Sequence, residues 1–274
     1  MKAGIDLGSR WVKIAATSDG RSYDVRRFDT ASFYRDHTRA GADGAVRLEA
    51  SGLGLAAGAG IASTGYGRNV VRLAGSRVVP EIKAHVLGAR MLTGLEDFTL
   101  VDIGGQDAKV ARVEGGRMTA FETNDKCAAS SGRYLENMAR ALAMTVEDLG
   151  RYADEPEPLN STCAVYGETE VVGKIAAGVP YERIAAGVNL NVVQRILPML
   201  ARVASGMSSG APGLAPLVVV GGVALNGAVV GFLEAAVPGD VVAPVHAMYT
   251  GALGAVFDAW DEAGRPEPNV EEKP

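Results

Sequence analysis

An apolar strand that ends in an aspartate and a glycine turn, and then continues as a second strand, occurs twice in this chain. Gly4-Ile5-Asp6-Leu7-Gly8-Ser9 leads into Val12–Thr17, and Phe98–Ile103 leads through Gly104-Gly105 into Ala108–Val113. A third apolar strand, Leu217–Val220, runs into Gly221-Gly222. A repeated strand–acid–turn–strand plan predicts two α/β lobes, each closing its own sheet. The length of 274 residues suits two lobes, because single hydrophobic cores stop growing near that size.

Helical spacing places the connections. Glu81–Leu92 has apolar residues at helical intervals and stops near Gly94, so it reads as a helix leaving the first lobe. Ala59–Ser63 is a further strand, ending at the turn Gly65-Tyr66-Gly67, and residues 31–50 read as surface strand and helix. In the second lobe, helices are predicted over Ala128–Ala143, Ala164–Ala177 and Tyr181–Ala204, with Pro198 expected to kink or split the last. Gly251–Trp260 closes the fold as a helix. The predicted organisation is an N-terminal lobe over 1–95 completed by a C-terminal helix at 249–262, a second lobe over 96–248, and a disordered, charged tail at 263–274.

Composition excludes several function classes. A net charge of -5 lacks the basic footprint of a nucleic-acid binder. The N-terminus carries charges where a signal peptide needs an apolar region, and no apolar run is expected to reach the ~20 residues of a membrane span. A cytoplasmic protein follows, with no membrane partner. In a reducing compartment its two cysteines, Cys127 and Cys163, are not expected to form a disulfide.

The carboxylate turns suit a metal–nucleotide. Asp6 can hold Mg²⁺ directly or through water, backbone N–H groups of Gly8, Ser9 and Arg10 can cradle phosphate oxygens, and Lys13 can add positive charge. Asp102, Gly104 and Gly105 offer the same chemistry again, with Gln106 close by, and the Gly221-Gly222 turn lets adenosine lie against the backbone. Each turn alone is equally compatible with a hairpin carrying a surface acid; the ordered triplet is not. No G-x-x-x-x-G-K-[ST] motif is present, so the chain is not a P-loop protein. The ordered set resembles the actin, hexokinase, Hsp70 and acetate-kinase superfamily. That resemblance implies two ribonuclease-H-like lobes around an ATP cleft, with Asp6 and Asp102 serving Mg²⁺ and the attacking water and Gln106 near the phosphates.

Each cysteine stands where a helix is predicted to start, after polar capping residues, in Asn124-Asp125-Lys126-Cys127 and Asn160-Ser161-Thr162-Cys163. A helix N-terminus stabilises a thiolate or an anionic cluster. Two buried structural cysteines, a zinc bridge between subunits and a shared iron–sulfur cluster all remain compatible with that placement, although Cys₄ zinc sites usually carry C-x₂₋₄-C pairs and this chain has none.

The local sequence goes further. Asn124-Asp125-Lys126-Cys127-Ala128-Ala129 with Gly132-Arg133, Ser161-Thr162-Cys163-Ala164-Val165, Thr64-Gly65-Tyr66-Gly67-Arg68-Asn69, Asp102-Ile103-Gly104-Gly105-Gln106-Asp107 and Gly251-Ala252-Leu253-Gly254-Ala255 together resemble the BadF/BadG/BcrA/BcrD-type ATPases. That family includes the activators of 2-hydroxyacyl-CoA dehydratases and the ATPase subunits of benzoyl-CoA reductase. The resemblance spans all but the tail. It departs at Ser130-Ser131, at Gly167, and at Leu225 and Met248, which stand where dehydratase activators often carry glutamines lining the adenosine site.

The resemblance implies a homodimer holding one [4Fe-4S] cluster through Cys127 and Cys163 of each subunit. It also implies ATP/ADP binding with Mg²⁺, and Leu225 and Met248 beside the base. A reduced ferredoxin or flavodoxin would be the electron donor, and an acyl-CoA dehydratase, or secondly a benzoyl-CoA reductase component, the recipient. A small-molecule kinase of the same fold, with Asp102 or Asp107 as base, and a filament-like nucleotide-binding protein are the rivals; neither accounts for the cysteines.

Overall fold

A computed structural model describes residues 1–41, 46–49, 52–55, 59–69, 71–72, 76–124, 131–160, 164–205, 216–258 and 268–273. The chain divides into two units, Met1–Leu95 with Met248–Pro274, and Glu96–Ala247.

In unit 1, β1 (Lys2–Leu7), β2 (Trp11–Thr17) and β3 (Ser22–Asp29) form an antiparallel meander. α1 (Thr30–His37), β4 (Thr38–Ala40) and β5 (Val46–Leu48) follow, and β6 (Gly60–Thr64) returns parallel to β1. β7 (Val71–Arg72) joins β4 and β5 in a small side sheet, while β8 (Arg77–Val78) extends the main sheet beyond β6. α2 (Glu81–Thr93) then ends at Gly94, which is left-handed at φ 69° as a helix C-cap.

Unit 2 repeats the plan. β9 (Phe98–Ile103), β10 (Ala108–Glu114) and β11 (Arg117–Asn124) form the meander. α3 (Gly132–Ala141), α4 (Val146–Leu149), α5 (Ala164–Ala176) and α6 (Tyr181–Ser205) intervene. β12 (Leu217–Val220) returns parallel to β9, α7 (Gly227–Ala236) follows, and β13 (Val241–Val242) adds a fifth strand. The strand orders β3-β2-β1-β6-β8 and β11-β10-β9-β12-β13 match strand for strand, which is the ribonuclease-H-like order expected of each lobe. The central strands β1 and β9 are almost wholly buried, as strands flanked on both sides and covered by helices must be.

α8 (Thr250–Asp258) packs on unit 1's sheet beside α2 at a separation only glycine allows. A methyl group on Gly254 would lie 1.7 Å from the Ala84 carbonyl oxygen. In unit 2, α6 buries Ile184, Val188, Val192, Ile196 and Val203 along one stripe.

The structure differs from expectation in three places. Over Tyr181–Ala204, α6 contains an 18-residue window of mean hydropathy 1.3, so it is long and apolar enough by length and composition to cross a membrane. Two-thirds of that window (67%) is buried, so its apolarity is used in packing unit 2. Nor does Pro198 split it: Gln194, whose carbonyl loses its amide donor, is exposed and can be hydrated. The third difference is in the tail, where Asn269–Glu272 forms β14 (Asn269–Glu272), parallel to β3. Asn269 and Lys273 N–H groups donate to Arg21 and Val25 carbonyls, and Tyr249 Oη donates to Glu272. An added edge strand needs only backbone pairing, so its charged sequence gave no strand signal. Residues 259–267 of the expected C-terminal helix and tail, including Trp260, lie outside the described residues.

Candidate functional site

The two units carry the same small constellation. Asp6, the penultimate residue of β1, is 2% exposed and accepts a hydrogen bond from Lys13 Nζ at 2.9 Å. The pairing follows from register: Asp6 and Lys13 are cross-strand partners on β1 and β2. Asp102 is likewise penultimate in β9 and 2% exposed, with Lys109 as its cross-strand partner on β10 and Lys109 Nζ 3.9 Å from Asp102 Oδ2. Lys109 also donates to Asp107 at 2.6 Å, so one ammonium serves two carboxylates.

A left-handed glycine closes over each acid. Thr64 on β6 pairs with Asp6, and Gly65 follows at φ 87°; Val220 on β12 pairs with Asp102, and Gly221 follows at φ 85°. A Cβ on Gly65 would fall 2.4 Å from Asp6 Oδ1, and one on Gly221 2.6 Å from Asp102 Oδ1. Gly221→Ala is therefore strained twice, by its dihedral and by the carboxylate. It should destabilise unit 2 by about 2–3 kcal/mol and lower ATP hydrolysis by at least ~10²-fold through a displaced Asp102. Thermal unfolding and phosphate release measure the two effects; turnover within twofold of wild type would remove the turn from the site.

The turn after Asp6 is braced from outside. Thr30 Oγ1 donates to the Gly8 carbonyl at 2.9 Å, and the Thr30 N–H to the Arg10 carbonyl. The Arg10 guanidinium pairs with Asp29 and lies 4.3 Å over the Trp11 ring. Asp29, held below the usual carboxylate range by the Ser32 amide and by Arg10, also caps α1. Arg10 thus offers a phosphate only its backbone, and Lys13 is engaged with Asp6.

The second turn is tied to a helix. Gly104 N–H donates to the Asp107 carbonyl, closing the turn, while Gly132 and Arg133 N–H groups donate to the carbonyls of Gly104 and Gly105, each at 2.9 Å. The turn beside Asp102 therefore satisfies the opening amides of α3. Gln106 is exposed at its tip. On its buried side, α3 meets α5: a Cβ on Gly167 would lie 3.5 Å from both Met138 Sδ and Tyr134 Cε2.

After Gly221, a 3-10 turn over Gly222–Leu225 ends at Asn226, which caps α7 by accepting from Val229 N–H. Asn226 donates to Asn189 of α6, and Asn189 donates to the Leu149 and Tyr152 carbonyls, a fully partnered chain that fixes the glycine turn. Leu225 is 62% exposed at the end of that turn. Met248 is instead a core residue of unit 1, 4% exposed, packed among Tyr23, Val25 and Met91 with its sulfur facing Arg27 Nη1. Its side chain is taken up by packing. Cys127 and Cys163 lie outside the described residues; α5 begins at Ala164, directly after Cys163, while α3 begins at Gly132.

The donor sets fit a magnesium nucleotide. Each has a hard carboxylate facing an ammonium, with a left-handed glycine packed against the acid; in unit 1 the Thr64 hydroxyl is also buried with no protein partner among the described residues. Sequence reasoning missed Lys109, although a signal was present: the spacing from Asp6 to Lys13 recurs from Asp102 to Lys109, as D-[LI]-G-x₄-K.

The model of the BadF/BadG/BcrA/BcrD ATPase family matches residues 3–259. The (R)-2-hydroxyglutaryl-CoA dehydratase activating ATPase of Acidaminococcus fermentans is 36% identical over 74% of this chain and 76% of its own. The activator of lactoyl-CoA dehydratase of Anaerotignum propionicum is 34% identical over 95% and 97%. The solved activator of the 2-hydroxyisocaproyl-CoA dehydratase from Clostridium difficile with bound ADPNP superposes with a TM-score of 0.79 at 28% identity, covering 94% of this chain and 93% of that one. MreB 5 of Spiroplasma citri, covering 92% and 93% at TM-score 0.54 and 14% identity, shares the actin/hexokinase-like fold alone.

Proposed function

The chain belongs to the BadF/BadG/BcrA/BcrD ATPase family, and on that premise we propose that it is an ATP-dependent iron–sulfur activator, donating a low-potential electron to a 2-hydroxyacyl-CoA dehydratase. The names of its relatives support the dehydratase class. The observation that carries the reading is the pair of hydrogen bonds from Gly132 and Arg133 to the Gly104-Gly105 turn. They tie a phosphate turn to the helix that follows the Cys127 segment, and Gly167 passes the contact to the helix that follows Cys163. A kinase or a filament protein has no use for that path.

In this reading Asp102 orients the attacking water or holds Mg²⁺, Lys109 fixes its rotamer, and the amides of Gly104 and Gly105 meet phosphate oxygens, with Gln106 beside them. Asp6, oriented by Lys13, serves Mg²⁺, and the amides of Gly8, Ser9 and Arg10 serve phosphate. Gly221, Gly222 and Leu225 offer a surface for adenosine. Gain or loss of the terminal phosphate shifts the Gly104-Gly105 carbonyls and, through two amides, the start of α3. When bound, a [4Fe-4S] cluster held by Cys127 and Cys163 of each of two copies would supply the one-electron chemistry, with reduced ferredoxin or flavodoxin as donor. Anaerobic purification tests this: a brown homodimer with about four iron atoms is expected. A colourless, iron-free protein with full ATPase activity would overturn it.

A further inference from the structure

Two hydroxyls in unit 1, those of Ser63 and Thr64, are buried without a hydrogen-bond partner among the described residues. A buried polar atom left unpaired costs stability, so each needs a reason. Strand register separates them. Ser63 pairs with Ile5 and shares its face, where Ile5, Leu7 and Phe33 form an apolar cluster. Thr64 pairs with Asp6 and shares the face of the carboxylate. Thr64 is itself 0% exposed.

The second unit supplies a comparison within the same molecule. Val220 occupies the position of Thr64: it pairs with Asp102 and precedes a left-handed glycine, as Thr64 pairs with Asp6 and precedes Gly65. A β-branched apolar residue thus fits this site of the fold, and packing does not require the hydroxyl of Thr64.

Building on the reading of Asp6 as the Mg²⁺ carboxylate, we propose that Thr64 is a further ligand-binding residue, its Oγ1 accepting a hydrogen bond from a water in the hydration shell of the divalent cation. Mg²⁺ sheds its waters reluctantly and is usually met through them, so a neutral acceptor beside an anchored carboxylate matches its outer shell. The hydroxyl, which has no partner among the described residues, gains one when the metal–nucleotide arrives. It therefore gives up stability for affinity.

The test is Thr64→Val, the residue already present at position 220, against Thr64→Ser and Ser63→Ala, read by calorimetric binding of ADP with Mg²⁺ and with EDTA. Thr64→Val is expected to melt about 2–4 °C higher than wild type, because the orphan group is gone. It should bind Mg·ADP roughly tenfold more weakly while binding metal-free ADP as wild type does. Thr64→Ser should retain Mg·ADP affinity, and Ser63→Ala should gain stability with no change in binding. Wild-type Mg·ADP affinity in Thr64→Val, a loss that persists in EDTA, or a melting temperature that falls would each overturn the inference. Asp6→Asn separates this from the parent reading: if it too binds Mg·ADP normally, the assignment of Asp6 falls, and that of Thr64 with it.

Discussion

Asp102→Asn should lower ATP hydrolysis by about 10²–10³-fold while leaving the fold and the metal centre intact, since it removes a charge from where phosphoryl transfer is stabilised. The fold should survive because the substitution keeps the shape at a buried position and leaves no orphaned cation: Lys109 retains Asp107 at 2.6 Å. Removing both carboxylates, Asp102 and Asp107, would be worse, as it would leave the buried Lys109 ammonium unpaired. Single-turnover hydrolysis, with calorimetry to verify folding, measures the effect. If turnover stays near wild type, Asp102 is not the carboxylate of the reaction and Asp6 takes its place.

Replacing either cysteine should be as severe for the metal centre. In the proposed cluster shared by two copies, Cys127→Ser and Cys163→Ser would each remove two of four thiolates, and a serine oxygen is a poor substitute for soft iron–sulfur ligation. Iron in anaerobically prepared dimer should fall from about four atoms to below one, with ATP hydrolysis within a few-fold of wild type, because the two sets of residues are separate in sequence. Full iron in either variant would remove that cysteine from the ligand set.

Much of this was legible in the sequence because the decisive elements announce themselves locally. β1 and β9 are apolar runs ending in an acid and a glycine, and α2 ends at a glycine that only a left-handed cap requires. The third strand of each meander was not legible. Ser22–Asp29 and Arg117–Asn124 each have a polar outer face, and their charges obscure the alternation. α7, whose sequence is GAVVGFLEAA, has two glycines and little amphipathic contrast, so its period was lost. Within the site, the acids and glycines were visible as motifs, and Lys109 could have been found from the repeated spacing. Commitment of Arg10 to Asp29, burial of Met248 and the orphan hydroxyl of Thr64 depend on which strand lies beside which. Those are tertiary facts that no local pattern carries.

The central claim, that ATP hydrolysis here drives an electron into an acyl-CoA enzyme, is tested most directly by anaerobic reconstitution. The protein is mixed with a 2-hydroxyacyl-CoA dehydratase and reduced flavodoxin, and dehydration of a 2-hydroxyacyl-CoA is followed with ATP, with ADP and with a non-hydrolysable ATP analogue. The account predicts dehydration with ATP, with neither other nucleotide, and with neither Asp102→Asn nor Cys163→Ser in place of the wild type. Equal dehydration with ADP, or undiminished dehydration with Asp102→Asn, would contradict it.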